Sequence, residues 1–201
     1  MNINNKNIVL ISGSLRKDSY NTKVLKSIEK EIIRQGYTTT FVNLNDFPIP
    51  FYNEDIELLG IPSKVFVLKN ILINTSGLIV SSPEYNGEIS AVLKNIFDWL
   101  SRKSVNKTPK QNFSGLKTIA IGASPGKNGA RRSIERLQVL LKTLGVDQNI
   151  LSYSLAKASN DMFDNKDEFL IEEQKEIIKE LISNYLTSIN SLRVDLEKSI
   201  G

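Results

Sequence analysis

The stretch that decides the fold is KNIVLISGSLRKDSYNTKVLKSI, residues 6–28. Its first seven residues form a short apolar run rich in β-branched side chains, which is typical of a strand buried on both faces of a parallel sheet. A loop of small hydroxyl residues follows, with an arginine near its centre, and a helix-like pattern begins at about residue 20. The stretch therefore predicts a strand, a polar loop and a helix in direct succession.

The same alternation of apolar runs and helix-period segments continues along the chain. Further strands are predicted at residues 38–44, 76–82, 117–123 and 146–153, and helices at residues 20–35, 62–74, 88–101, 129–144 and 166–189. The apolar stripes of the third and fifth helices consist of Ile89, Val92, Leu93, Ile96, Phe97 and Leu100, and of Ile177, Ile178, Leu181, Ile182, Tyr185 and Leu186. Gly36 and Gly145 follow two helices as stop signals. Five alternations predict a doubly wound α/β fold with right-handed crossovers.

We expect one domain over residues 1–201, because the chain shows no second core, repeat or low-complexity linker, with the C-terminal helix and tail (about 160–201) packed on it. One connection is unusual, because residues 45–62 are long and proline-rich for a strand-to-helix turn. Loops of that length are commonly functional or lie at an interface, and the alternative is a solvated insertion.

Composition excludes several classes of chemistry. The 201 residues include no cysteine and no histidine, which removes thiolate zinc sites, thiolate-bound iron–sulfur clusters, serine triads and imidazole acid–base catalysis. No metal site is expected, and the reaction is expected to depend on a bound cofactor. The net charge of +4 comes without a lysine or arginine run, so we expect anionic small molecules rather than nucleic acid as partners. No apolar run is long enough for a membrane span, and the start lacks the features of a signal peptide, so a cytoplasmic protein is predicted.

Three loops are expected to meet at the carboxyl ends of the strands, where such sheets bind ligands: residues 12–21, 82–88 and 123–130. The first offers Ser14, Arg16, Ser19 and Asn21 beside a helix start, a combination suited to a terminal phosphate. It matches neither the Walker loop nor the three-glycine dinucleotide fingerprint. The alternative is that Ser19 or Asn21 only caps the helix and that Arg16 is solvated.

The other two loops carry weaker signals when each is taken alone. The turn Pro-Glu-Tyr-Asn-Gly, residues 83–87, combines backbone groups with an aromatic face and suits the edge of a flat heterocycle, although an ordinary loop and helix cap explains it too. The third loop has two glycines that permit close backbone approach, and Ser124 as a polar contact. Four cations lie near it and either meet a phosphate group or form a solvated helix face: Lys127, Arg131, Arg132 and Arg136.

Together, GSLRKDSYN (13–21), SSPEYNGEISAVLKNIFDWLSR (81–102) and IGASPGKNG (121–129) resemble the NADPH-dependent FMN reductase family, a flavodoxin-like group that includes bacterial chromate, quinone and azo-dye reductases. The resemblance runs from about residue 6 to 155. It implies a flavodoxin-like five-stranded parallel sheet of order 2-1-3-4-5, helices on both faces and non-covalent FMN. By position it implies a phosphate site of Ser14, Arg16, Ser19 and Asn21, a ring site of Pro83, Glu84, Tyr85, Asn86 and Gly87, and a third side of Ser124, Gly126 and Gly129.

The resemblance also implies a function and an assembly. The expected activity is transfer of a hydride from NADPH or NADH, through bound FMN, to a small acceptor such as a quinone, an azo compound, chromate or free flavin. No side chain is assigned a catalytic role, because the flavin itself accepts the hydride. The family is usually dimeric or tetrameric, with helix 88–100 and the loop around Phe51 and Tyr52 as the expected interface. The alternatives are a flavodoxin-type single-electron carrier, disfavoured by the positive net charge, and a non-redox module that binds a phosphorylated ligand.

Overall fold

The structure, a computed structural model, describes residues 6–102 and 113–200, with side chains up to residue 191. Its sheet has five parallel strands in the order β2-β1-β3-β4-β5, which confirms the order that the family resemblance implied. The strands are β1 (Asn7–Ser12), β2 (Thr38–Asn43), β3 (Gly77–Ser81), β4 (Lys117–Ala123) and β5 (Leu151–Leu155). The helices are α1 (Tyr20–Arg34), α2 (Glu54–Leu59), α3 (Ser63–Ile73), α4 (Ala91–Leu100), α5 (Arg131–Leu144) and α6 (Glu172–Ile200).

Helices cover both faces of the sheet, and each face has its own apolar core. On one face α1 and α6 pack against alternate residues of the strands, and the buried side chains there include Leu25, Ile28, Ile79, Ile119 and Ile182. On the other face α3, α4 and α5 cover the intervening residues, and the buried side chains there include Val9, Leu68, Val80, Phe97 and Leu137. Strands that are apolar on both sides therefore read as continuous apolar runs in the sequence. No helix in the described ranges has an apolar stretch long enough to cross a membrane.

The predicted end of the last helix at residue 189 was wrong, because α6 continues to Ile200. Two predicted starts were also wrong, because side chains form local turns there. Strand β5 starts at Leu151 instead of residue 146, since the Asp147 carboxylate accepts a hydrogen bond from the backbone N–H of Asn149 (2.8 Å) and turns the chain before the strand. Helix α6 starts at Glu172 instead of residue 166. The Asp164 carboxylate accepts hydrogen bonds from two following backbone N–H groups and forms a turn at that point.

One further expectation was wrong, and one connection proves to contain a helix. Ile177, predicted on the buried side of α6, is 40% exposed. The long connection at residues 45–62 is partly helical, because it contains α2. This connection is fastened to α4 at Pro50, whose carbonyl accepts hydrogen bonds from Trp99 Nε1 (2.8 Å) and Asn95 Nδ2 (3.0 Å).

Candidate active site

The three loops singled out from the sequence begin side by side at one edge of the sheet. They follow β1, β3 and β4, which are neighbours, and parallel strands place their carboxyl ends at the same edge. The first loop precedes α1, the second precedes α4 and the third precedes α5. The geometry of the site therefore depends on how these three loops contact one another.

Gly13 joins the first loop to the second. Its N–H donates to Ser81 O (2.7 Å), and its carbonyl accepts a hydrogen bond from Ser90 Oγ (2.5 Å). A Cβ at Gly13 would lie 2.9 Å from both Ser81 O and Leu93 Cδ2, so no side chain fits without a shift of backbone. Sequence analysis missed Gly13 and Ser90, although a glycine directly after a buried strand is a signal for close backbone approach.

Asn21 joins the first loop to the third. Its side chain is 3% exposed, and its Nδ2 donates to Ala123 O (3.0 Å) while its Oδ1 accepts from Ala123 N (3.0 Å) and from Ser81 Oγ (2.8 Å). A carboxamide has two N–H donors, so these bonds leave one N–H unused. A phosphate contact from Asn21 stays a prediction, and the observed bonds favour a bracing role between α1, β3 and β4.

The remaining polar residues of the first loop surround the start of α1. Ser14 is buried, and its Oγ accepts a hydrogen bond from the N–H of Arg16 (3.3 Å). The Arg16 guanidinium is exposed, donates to Asp18 O (2.7 Å) and lies 5.4 Å from the centre of the Tyr20 ring. Ser19 occupies the N-cap position, but its side chain makes no capping hydrogen bond, so the interpretation of its hydroxyl as a helix cap was wrong.

The second loop contains a short β-hairpin. Tyr85 and Glu88 exchange two backbone hydrogen bonds (3.1 and 3.0 Å), and the two residues between them, Asn86 and Gly87, have φ angles of 55° and 85°. Positive φ at both positions is characteristic of a type I′ turn, for which Asn-Gly is the preferred dipeptide. The sequence predicted a fixed turn but not a hairpin. Tyr85 is 56% exposed beside its tip, whereas Pro83 is buried.

Glu84 joins the second loop to the third. Helix α5 has Ala130 at its N-cap position, and alanine has no side-chain acceptor. The Glu84 carboxylate takes that place, because Oε2 accepts hydrogen bonds from the N–H groups of Arg132 (3.0 Å) and Ser133 (3.4 Å). Its Oε1 lies 3.4 Å from Arg132 Nε. The hairpin is thus fixed to the first turn of α5.

The third loop is fixed to β5 and the residues after it. Gly126 O accepts a hydrogen bond from Lys157 N (3.0 Å), and Gly129 O accepts one from Ser154 Oγ (2.8 Å). Ser124, the remaining predicted residue, accepts a hydrogen bond at Oγ from Gly126 N (3.1 Å). Gly129 has a φ of 56°, and a Cβ there would lie 2.8 Å from the backbone nitrogen of Ala156, the residue directly after β5.

Three of the four cations noted in the sequence gather around one cavity. It has a volume of about 500 Å³ and is lined by Lys127, Asn128, Arg131, Arg132, Ser154 and Ala156. Arg136, the fourth cation, does not belong to this group. Its Nε lies 3.2 Å from Glu88 Oε1, and it lines a separate cavity of about 430 Å³.

Comparison with known proteins gives a consistent result over most of the chain. The family described as NADPH-dependent FMN reductase matches residues 6–156. An NAD(P)H-dependent FMN reductase of Pseudomonas aeruginosa is 31% identical over 183 residues, which is 91% of this chain and 95% of that protein. A quinone reductase of Escherichia coli K12 is 30% identical over 135 residues, 67% of this chain and 68% of that protein.

A solved structure supports the same relationship. A flavoenzyme NAD(P)H:(acceptor) oxidoreductase from Paracoccus denitrificans superposes with a TM-score of 0.78 at 25% sequence identity, covering 92% of this chain and 98% of that one. The agreement therefore extends beyond the loops to the whole described sheet and its helices.

Proposed function

The chain belongs to the NADPH-dependent FMN reductase family, and from this premise we propose that it reduces a small quinone at the sheet edge where the three loops meet. It is an oxidoreductase, and its cofactors are FMN and NAD(P)H. The single observation that carries the placement of the site is the cross-linking of the three loops by Gly13, Asn21 and Glu84. These hydrogen bonds join the loops after β1, β3 and β4 into one continuous surface at the carboxyl edge of the sheet.

The first loop fits the phosphate of FMN. Arg16 supplies an exposed guanidinium, and Ser14 and Ser19 supply hydroxyl groups close to the start of a 15-residue helix. Helix N-termini favour anions through unpaired backbone N–H groups, and arginine adds charge-assisted hydrogen bonds. The Ser19 hydroxyl, which is not used as a cap, is a suitable donor for this purpose.

The second and third loops fit the two sides of a flat ring. The hairpin presents the backbone of Asn86 and Gly87 at its tip, because the backbone groups of Tyr85 and Glu88 bond to each other. Bound FMN would accept a hydride from NAD(P)H and pass two electrons to the acceptor. Fixed backbone donors near the ring would stabilise the negative charge of its reduced form, which is electrostatic preorganisation rather than acid–base catalysis. Tyr85 supplies an exposed aromatic side chain beside that position.

We propose a quinone as the acceptor because relatives that cover much of the chain carry that activity in their names. One is the quinone reductase of Escherichia coli, and another is an NADPH:quinone oxidoreductase of Arabidopsis thaliana, 28% identical over 196 residues. A positive net charge of +4 and the family membership both disfavour the single-electron carrier. Azo compounds, chromate and free flavin are the competing acceptors.

A steady-state panel tests the proposal. FMN-loaded protein is assayed with NADPH and NADH against benzoquinone, menadione, an azo dye, chromate and free FMN. The expected result is the highest kcat/KM with a quinone. A higher kcat/KM with another acceptor would contradict the quinone assignment alone, whereas a protein that retains no FMN after gentle desalting would contradict the whole proposal.

We also propose that the chain forms a homodimer through the connection at residues 45–62. This connection and α2 expose large apolar side chains, with Phe51 77%, Leu58 85% and Leu59 91% exposed. Apolar side chains that are exposed together are common at protein interfaces. Light scattering after size exclusion is expected to give twice the chain mass, and L58E/L59E is expected to give the monomer mass. A monomeric unmodified protein would contradict this proposal, and a tetramer would show a second interface.

A further inference from the structure

The cavity beside the third loop concentrates positive charge. Lys127 and Arg131 are exposed, and neither has an acidic partner among the residues that the structure describes. Arg132 contacts the Glu84 carboxylate, so one of the three positive charges is offset. The cavity lining therefore carries an excess of about two positive charges, and its volume of about 500 Å³ lies in the range of small-molecule sites.

The walls of this cavity are held in place by hydrogen bonds between its two sides. Ser154 Oγ donates to Gly129 O (2.8 Å), and Lys157 N donates to Gly126 O (3.0 Å). Arg131 N donates to Asn128 O (3.1 Å), which closes a tight turn over residues 128–131, directly after Lys127. One unpaired cation thus precedes this short turn and the other ends it, and Gly129 within the turn is bonded to Ser154 of β5. A preorganised site of this kind loses little conformational entropy when an anion binds.

The cavity is separate from the phosphate site proposed for FMN. The first loop follows β1, whereas the cavity lies beyond β4 next to β5, and β3 stands between β1 and β4. Adjacent strands are about 4.8 Å apart, so the two sites are separated by roughly 12 Å or more along the sheet edge. One phosphate cannot serve both. The cavity does adjoin the third loop, which is proposed to border the flavin ring.

We propose that this cavity binds the 2′-phosphate of NADPH, with Arg131 and Lys127 as its main partners. The inference rests on the proposed function, because it assumes that a nicotinamide nucleotide approaches the flavin from the side of the third loop. NADH has a hydroxyl group in place of that phosphate and gains no comparable contact. The chain is therefore expected to prefer NADPH to NADH, and the preference is expected to depend on these two side chains.

The test compares two nucleotides that differ only in the 2′-phosphate. Binding of 2′,5′-ADP and of 5′-AMP to FMN-loaded protein is measured by calorimetry for the unmodified chain, for K127A/R131A and for R136A. Arg136 is the matched control, because it lies on the same helix and is exposed but pairs with Glu88 outside the cavity. Charge-assisted hydrogen bonds predict that 2′,5′-ADP binds about 10- to 100-fold more tightly than 5′-AMP. In K127A/R131A the two nucleotides are expected to bind alike, and R136A is expected to keep the difference.

Steady-state kinetics give a second readout. The ratio of kcat/KM for NADPH to kcat/KM for NADH is expected to fall at least tenfold in K127A/R131A. Equal affinities for the two nucleotides in the unmodified chain, or an equal loss in R136A, would overturn the inference. Either result would leave the proposed function standing if FMN binds and NADH is oxidised. Inhibition of NADPH oxidation by sulfate but not by 2′,5′-ADP would instead assign the cavity to a small inorganic anion and overturn it too.

Discussion

The substitution Gly129→Ala tests whether the third loop is shaped by its contact with β5. Gly129 has a φ of 56°, in the left-handed region that side chains with a Cβ adopt at a cost of about 1–2 kcal/mol. An added Cβ would overlap Ser154 Oγ and would lie 2.8 Å from Ala156 N and 3.0 Å from Leu155 C. Two of these three atoms belong to the backbone, so relief requires the loop and the strand to separate.

The expected cost combines three contributions. The backbone conformation contributes about 1–2 kcal/mol. Forcing atoms into a packed site typically costs about 1–3 kcal/mol. Loss of the hydrogen bond from Ser154 Oγ to Gly129 O adds about 0.5–1.5 kcal/mol. Allowing for partial relaxation, we expect Gly129→Ala to lower the free energy of unfolding by about 3–5 kcal/mol.

Gly36→Ala is the matched control. Gly36 has a φ of 82°, but an added Cβ there meets no atom within 4 Å. Its cost is therefore the conformational contribution alone, about 1–2 kcal/mol. Urea unfolding followed by circular dichroism gives both values. The combination of Gly129→Ala with Ser154→Ala is expected to cost less than the sum of the two single changes, because the overlap with Oγ disappears.

Equal destabilisation by Gly129→Ala and Gly36→Ala would refute the reasoning, because the close approach to β5 would then have no energetic effect. The site gives a second criterion. If the third loop borders the flavin, Gly129→Ala is expected to weaken FMN binding even where the protein remains folded, whereas Gly36→Ala, at the far end of α1, is not.

Three further predictions concern single side chains. Arg16→Ala is expected to weaken FMN binding by about 1.5–3 kcal/mol through loss of a charge-assisted hydrogen bond, measured by fluorescence titration, and unchanged affinity would place the phosphate elsewhere. Glu84→Gln is expected to lower the free energy of unfolding by about 1 kcal/mol, because it weakens the cap of α5. Glu88→Gln removes an exposed ion pair and is expected to change that free energy little. Equal effects of the two substitutions in urea unfolding would contradict the capping role of Glu84. The hydrogen bond from Arg34 holds the pKa of Glu168 below the usual value for a glutamate. This ion pair therefore stabilises the fold fully at pH values above the usual glutamate pKa, and the stabilisation is lost as the pH falls through the pKa of Glu168 in the folded protein. Urea unfolding between pH 7 and pH 3 is expected to show this loss as a fall in the free energy of unfolding. If Arg34→Gln leaves the slope of that free energy against pH unchanged, the assignment to Glu168 is contradicted.

Most of the sheet could be predicted because its strands are buried on both faces. β1 and β4 appear as continuous apolar runs, and their predicted ranges agree with the structure to within a residue. β5 was misplaced because it is an edge strand with alternating exposure, so its apolar signal is weak, and because Asp147 turns the chain just before it. The start of α6 was misplaced for a similar reason, since a side-chain turn at Asp164 has no distinct apolar pattern.

The loops that form the candidate site could be predicted, but the contacts between them could not. Asn21 was selected as a polar residue near a helix start, which is correct as a position, yet its partners lie on strands that are distant in the sequence. Glu84 was selected for its place in a turn, and its role as a cap depends on where α5 begins. Hydrogen bonds across the sheet edge depend on the packed arrangement, and a single sequence carries no periodic signal for them.

At the site proposed for FMN, the contacts between loops supply what a chain without histidine or cysteine needs for redox chemistry. Gly13, Asn21 and Glu84 are not offered as groups that transfer protons or electrons, and each joins two loops through bonds of fixed geometry. A cofactor that carries its own reactive centre needs its position and its electrostatic surroundings from the protein, and both depend on backbone groups held rigidly. The geometry of the site is therefore expected to be most sensitive to substitution at these connections, where a change moves two loops at once, whereas a change at an exposed side chain such as Tyr85 moves neither loop.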